Sequence, residues 1–218
     1  MTGYAAQTVQ SFLDDLGSDA PTPGGGSGAA MVGAHGAALV RMLAQLTMGR
    51  KKYEAHHELM DAISEKAAEG RDAFLQLAVD DAAAYGAVSV AFKLPRETDE
   101  DKAARTAAIQ DALKGACEVP LEVMTQCLEI IGLAKNAVFS GNKNALSDGA
   151  AGAEFCRAAL RVASYNVKIN LSSIKDDEYV KTTQTRLDEM YYMGSAVANE
   201  IDSHVTEMWR PKPATPAT

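Results

Sequence analysis

The chain reads as an all-α protein, a bundle of five or six helices, and three observations lead there. Apolar and small residues recur three and four apart along most of its length, no stretch alternates like a strand, and glycines and prolines gather in a few short segments. Several helices should be long, about 25 to 40 residues, as in extended bundles. Residues 1–209 read as one helical domain and residues 210–218, rich in Pro, Ala and Thr, as a disordered tail.

Val9, Phe12, Leu13 and Leu16 share one face, which predicts a short first helix over 4–16, ended by Gly17 and Ser18. The stretch Pro21-Thr22-Pro23-Gly24-Gly25-Gly26-Ser27-Gly28 then leads into a second helix over 29–48, built from Gly, Ala and short apolar residues. Consecutive glycines permit positive φ and close backbone approach, and the free N–H groups of a helix start can hold a ligand. A flexible connector is the plainer reading of the same run. Ala29, Gly33 and Ala37 recur every fourth residue, near Gly36 and Ala44, so another backbone, such as that of a second subunit, can approach that face. The helix closes at Gly49, before Arg50-Lys51-Lys52-Tyr53, a cluster that either complements a helix C-terminus or meets an anion.

Over residues 54–92, Ile63, Ala67, Gly70, Phe74, Leu77, Ala84 and Val88 form the seam of one long helix. Between Leu77 and Ala84 that seam falls on Asp81, a carboxylate where an apolar side chain is expected. An unpaired buried carboxylate is strongly unfavourable, so Asp81 must be paired, protonated or facing a cavity. If it is there for function, Asp81→Leu should fold at least as well as the parent. Leu94-Pro95 breaks the helix, and Thr98 with Asp101 forms a capping box for the next. The next seam is Ile109, Leu113, Ala116, Pro120, Val123, Cys127, Ile130 and Ala134, and Pro120 should kink it.

A second polar loop, Ser140-Gly141-Asn142-Lys143-Asn144-Ala145-Leu146-Ser147-Asp148, offers Ser147 or Asp148 as the following N-cap. The stripe Phe155, Ala159, Val162, Asn166 and Ile169 contains a second misplaced polar residue, Asn166, with Asn170 one turn on. Such an asparagine either fixes register or faces a ligand. Asp176 caps a last helix with seam Val180, Thr183, Leu187, Met190, Gly194, Val197, Ile201 and Val205.

The composition is that of an ordinary soluble protein, with 47% hydrophobic and 23% charged residues. A net charge of -8 argues against nucleic acid as a partner. No apolar run approaches the ~20 residues that span a bilayer, and no leader pattern opens the chain, so neither a membrane nor export is expected and the cytoplasm is. Cys117, Cys127 and Cys156 lack metal-type spacing and read as reduced core residues. His35, His56, His57 and His204 form no two-turn zinc pattern, so no metal is expected, and His35 reads as a packed histidine in the small-residue helix. No triad, paired-carboxylate motif or dinucleotide fingerprint is present. The best site these residues suggest is an interhelical pocket lined by Asp81 and Asn166 and rimmed by Lys51 and Lys52.

Six motifs in order carry a resemblance: Pro21-Thr22-Pro23-Gly24-Gly25-Gly26-Ser27; Gly49-Arg50-Lys51-Lys52-Tyr53; Asp81 with Tyr85; Leu94-Pro95; Gly141-Asn142 with Ser147-Asp148; and Tyr165-Asn166 with Asn170-Leu171. Together they resemble the formiminotransferase-cyclodeaminase and methenyltetrahydrofolate cyclohydrolase family, over residues 5–209. The resemblance implies an all-helical homodimer with a folate site near the subunit contact and no metal or nucleotide cofactor. A single-domain acidic chain is most similar to the monofunctional bacterial cyclohydrolases of methylotrophic one-carbon metabolism, which interconvert 5,10-methenyl- and 10-formyltetrahydrofolate. The alternatives are a formimidoyltetrahydrofolate cyclodeaminase and a non-catalytic module that binds folate or a protein.

Carried onto this sequence, the resemblance implies that Asp81 takes or orients the water proton, or else pairs with the amino-pyrimidine edge of the pterin. Lys51 or Lys52 would donate a proton to the departing nitrogen. Asp80 beside Asp81 leaves the choice within each pair open. Pro23, Gly24, Gly25, Gly26 and Ser27, with Tyr85, Asn142, Asp148, Asn166 and Asn170, would bind the substrate, while Arg50 and Tyr53 in the basic cluster would meet its glutamate tail.

Overall fold

The Gly- and Ala-rich segment becomes the axis of the bundle, because side chains that small let neighbouring helices close on it from several sides. The structure, a computed structural model, describes residues 3–210. A 3-10 turn, Tyr4–Ala6, is followed by α1 Val9–Leu16, α2 Gly25–Met48, α3 His57–Phe92, α4 Asp99–Ser140, α5 Leu146–Leu171 and α6 Asp177–Met208. The 3-10 turns Lys51–His56 and Lys143–Ala145 lead into α3 and α5. Among the described residues there is no strand, and six helices match the expected count. The tail expected to be disordered lies outside the described residues, apart from Arg210.

α2 packs against α3, α5 and α4, while α6 closes the far side on α4 and α5. By length and composition α2 is apolar enough to cross a membrane, contrary to the expectation from the sequence, but half of its most apolar stretch is buried against its neighbours. The α2–α5 crossing depends on two glycines. A Cβ on Gly36 would meet Gly152 O at 2.8 Å and Cys156 Sγ at 2.6 Å, and one on Gly152 would meet Gly36 O at 2.8 Å. The capping box at Thr98 and Asp101 and the cap by Asp176 form as expected. Cys117, Cys127 and Cys156 are buried free thiols.

Pro120 lies inside the 42-residue α4, where it has no N–H for the carbonyl of Ala116. Asn170 supplies the missing donor, its Nδ2 reaching Ala116 O at 3.1 Å from α5.

Several expectations are corrected. The first helix is split: Tyr4–Ala6 is a separate turn, and the Thr8 hydroxyl caps α1 by accepting from Ser11 N at 3.1 Å. The glycine segment is no loop, since Gly25, Gly26, Ser27 and Gly28 form the first turn of α2, and among the described residues Gly3 alone has positive φ. Ser147 and Asp148 do not cap α5; they sit inside its first turn, after an Ala145 N-cap. The buried face of α5 is rotated from the expected stripe, with Ala159 common to both. Phe155 and Ile169 are 42% and 68% exposed, and the buried face runs through Gly152, Cys156, Ala159, Ala163 and Val167, the residues small enough for the close crossing.

His35 is also exposed rather than packed, with its Nδ1 2.7 Å from Met31 O. Finally, the Ala29, Gly33 and Ala37 face is filled from within the chain. It is buried, and a Cβ on Gly33 would lie 2.6 Å from the Phe74 ring of α3, so this face cannot receive a second subunit.

Gly33→Ala should therefore destabilise the folded chain itself, by about 1–3 kcal/mol as overpacking does. Thermal melting checks this; an unchanged midpoint would show that Phe74 yields freely.

Candidate active site

α2 begins without a side-chain cap of its own, because its N-cap is Gly24. The cap comes from another helix. Asp81, midway along α3, places Oδ2 2.8 Å from Ser27 N and 3.0 Å from Ser27 Oγ. Its other oxygen lies over Gly26: a Cβ there would be 2.0 Å from Oδ1, so any residue but glycine would expel the carboxylate. The amides of Gly25 and Gly26 meet no acceptor among the described residues. The result is a half-buried carboxylate beside an open helix N-terminus.

Burial raises the pKa of Asp81 above the ordinary carboxylate value, and the Ser27 hydroxyl and amide partly oppose the rise. The Ser27 hydroxyl has one proton and two acceptors in reach, Ala78 O at 2.8 Å and Asp81 Oδ2 at 3.0 Å. A carboxylate with a raised pKa, held by one oxygen, leaves the other to accept a proton from water. Because Asp81 also caps α2, the expectation that Asp81→Leu folds at least as well is revised. Losing such a cap costs about 0.5–2 kcal/mol.

The expected site residues fall into two groups. At the start of α2, Pro23 is buried, Gly24 and Gly25 lead into the first turn, and Gly26 and Ser27 lie against Asp81. Asn166 of α5 joins them, its side-chain amide 3.8 Å from where a Gly25 Cβ would be. Its Nδ2 donates to Val162 O at 3.0 Å, and its Oδ1 meets no donor among the described residues. Tyr85 follows Asp81 by one turn of α3 and is 48% exposed. Asn170 has its amide engaged at Ala116 O, one turn before Pro120.

The second group gathers beyond the end of α2. Arg50, Lys51 and Lys52 are exposed, Lys52 lies over the Tyr53 ring at 5.5 Å, and Tyr53 Oη accepts from Lys143 N at 3.1 Å. Asn142 is buried and fully used. Its backbone N donates to Thr47 Oγ1 at 2.9 Å, its Nδ2 to Leu46 O at 3.1 Å, and its Oδ1 accepts from Asn144 N at 3.1 Å, which closes the C-terminus of α2. Asp148 is half-buried in the first turn of α5. The pocket expected to hold Asp81 and the lysines together is thus not assembled within one chain. Twenty-four residues of α2, at ~1.5 Å each, separate the two groups.

Sequence reasoning missed Tyr4. It packs edge-on against Phe12 with ring centroids 5.4 Å apart and, with Gly28, Met31, Val32, His35 and Leu75, lines an apolar cavity of about 460 Å3 beside the start of α2. Burial, then the Asp81 charge, raises its pKa, while a bond to the Ser27 side chain opposes this. No pattern could have found it, since an isolated tyrosine before the first helix has no periodicity to violate.

Residues 8–189 match the family model described as formiminotransferase-cyclodeaminase. The chain belongs to this family. It is 40% identical over 195 residues to the methenyltetrahydrofolate cyclohydrolase of Methylorubrum extorquens, covering 89% of this chain and 94% of that protein. The formimidoyltransferase-cyclodeaminase of Rattus norvegicus is 31% identical over 183 residues, 84% of this chain but 34% of that enzyme, so this family member spans about a third of its bifunctional relative. The crystal structure of the formiminotetrahydrofolate cyclodeaminase of Thermotoga maritima superposes with a TM-score of 0.86 at 29% identity, covering 94% of this chain and 98% of that one.

Two outcomes are expected at the Asp81 end. Because the folded state holds the Asp81 proton more tightly than the unfolded chain, its contribution to stability is present at low pH and lost as pH rises through the raised pKa. Melting curves across that range should show this decline in the parent and lack it in Asp81→Asn. Tyr4→Phe keeps the ring packing but removes a hydroxyl beside Ser27 and Asp81, which leaves the carboxylate in a less polar setting, so its pKa climbs further. The acid limb of the kcat/KM profile should then move to higher pH with little change in melting; an unmoved limb would mean that the hydroxyl plays no part.

Proposed function

We propose that this protein catalyses the reversible hydrolysis of 5,10-methenyltetrahydrofolate to 10-formyltetrahydrofolate. The observation that carries the reading is the 40% identity to a cyclohydrolase of matching length, joined to a site whose carboxylate suits activation of water. The methenyl carbon is part of an amidinium cation and is already electrophilic, so the chemistry requires a base, a route for protons and an oriented ring system. Asp81 takes one proton from water as the C–O bond forms. A lysine of the Lys51–Lys52 pair protonates N5 as the C–N5 bond breaks, the adduct's hydroxyl proton returns to that amine, and Asp81 releases its proton to solvent. The balance is one water consumed and one proton released.

The open amides of Gly25 and Gly26 and Oδ1 of Asn166 supply neutral hydrogen bonds for the pterin, and Arg50 with the lysines suits a glutamate tail. The three buried thiols fit a reducing compartment such as the cytoplasm. The protein acts as a homodimer in this reading. With the Ala29, Gly33 and Ala37 face filled, the support is a different stripe of α2, which leaves Val32, Met42 and Leu46 exposed at 39%, 47% and 40%.

The second reading is a formimidoyltetrahydrofolate cyclodeaminase, favoured by the likeness to the Thermotoga maritima structure along nearly its whole length. Purified protein supplied with each folate, followed by methenyl absorbance and by ammonia release, separates the two. Ammonia release with no loss of the methenyl chromophore would overturn the cyclohydrolase reading. Asp81→Asn should lower kcat by ~100- to 10,000-fold, the usual contribution of a general base.

A further inference from the structure

We propose that the cavity between α5 and α6 is a second binding site, one that takes a small hydroxy or amino acid by its carboxylate on Arg161. The cavity has a volume of about 430 Å3 and is lined by Glu154, Arg157 and Arg161 of α5 and by Tyr191, Ser195 and Asn199 of α6. It is separate from the Asp81 site. Arg161 and Asn166 lie on different flanks of α5, about 140° apart around the helix, so that Asn166 meets Gly25 of α2 while Arg161 meets Tyr191 of α6.

The groove owes its depth to Gly194. A Cβ there would lie 2.6 Å from Leu160 Cδ2 and 2.9 Å from Leu128 Cδ2, so its absence lets α6 settle onto α5 and α4. The next residue, Ser195, is drawn down with it. Its hydroxyl oxygen is sealed from solvent and has no hydrogen-bond partner among the described residues. Buried hydroxyls are nearly always paired, and one left open on the lining of a cavity calls for a ligand atom.

The charges around the cavity specify the class of that ligand. Arg157 is already satisfied: it donates to Glu154, which cancels its charge, and its Nη1 reaches Asn199 Oδ1 at 2.9 Å. Arg161 is not. Its Nε donates to Tyr165 Oη at 3.0 Å, and the guanidinium lies 4.5 Å from the Tyr191 ring centroid and 5.3 Å from that of Tyr165. Among the described residues it joins no salt bridge, and neither terminal nitrogen meets an acceptor.

A guanidinium held against two rings with both ends of its fork open is prepared for a carboxylate, which it meets with two parallel hydrogen bonds. One uncompensated positive charge matches a single carboxylate better than a dianionic phosphate. Beyond the fork, Ser195 Oγ, Asn199 Nδ2 and Glu154 Oε1 have no partners among the described residues, so the body of the ligand meets both donors and an acceptor. A hydroxyl or amino group beside the carboxylate suits them. Arg161 is exposed, so the molecule enters directly from solvent.

Calorimetric titration with lactate and with L-serine tests the site, with inorganic phosphate as the competing anion at matched ionic strength. Saturable binding of one or both at millimolar concentration is expected, with phosphate weaker. Arg161→Gln should reduce the affinity by ~10- to 100-fold, the usual cost of lost hydrogen bonds to a charged group. Ser195→Ala should reduce it by ~2- to 10-fold, yet melt no lower than the parent without ligand, because it removes an unpaired buried hydroxyl. No saturation with either acid, equal binding of phosphate, or parental affinity in Arg161→Gln would overturn the proposal. Folate turnover in Arg161→Gln should match that of the parent; its loss would assign the cavity to the folate substrate and exclude a second site. The titrations are read without folate, so failure of the cyclohydrolase reading leaves them unaffected.

Discussion

The contact between Asp81 and the first turn of α2 is the constraint on which the rest of the molecule depends. One carboxylate oxygen ends the central helix by taking the Ser27 amide, and the other occupies the space that Gly26 leaves empty. In the proposed mechanism, stability and chemistry are therefore drawn from the same side chain. A carboxylate that only capped the helix would be favoured as an ion, yet here burial outweighs the Ser27 bonds and holds its proton affinity up. The glycines belong to this contact. They provide room for a neighbouring side chain, and no left-handed backbone is found among them.

What the sequence made legible follows from periodicity. Helix count, the seams of α4 and α6, the Thr98 capping box and the oddity of Asp81 were all visible as patterns or breaks in patterns. The phase of a stripe was harder. In α5 the bulky residues Phe155 and Ile169 suggested the buried face, but a helix that closes to glycine distance on α2 buries its smallest residues and turns the large ones out. The same preference for small residues makes Gly33 resemble a subunit contact, although Phe74 of the same chain fills its space.

Spatial grouping was the part the sequence withheld. Motifs that belong to one family signature looked like one pocket, and the length of α2 divides them. Asn142 and Asn170 show a related ambiguity, since a polar residue in an apolar setting signals that something needs a hydrogen bond without saying what. For both, the partner is the backbone of a neighbouring helix: the carbonyl of Leu46 for one and that of Ala116 for the other. Asn166, whose own bond is made within its helix, keeps an oxygen unassigned.

The pairing of Pro120 with Asn170 limits how this sequence can drift. Proline at 120 and asparagine at 170 form a lock and its key: the first leaves a carbonyl without a donor, and the second brings one from another helix. Either change alone is penalised, since losing the asparagine strands Ala116 O and replacing the proline sets a second donor in competition for it. The two positions are therefore epistatic although 50 residues apart, and descendants of this chain should exchange them together or keep both.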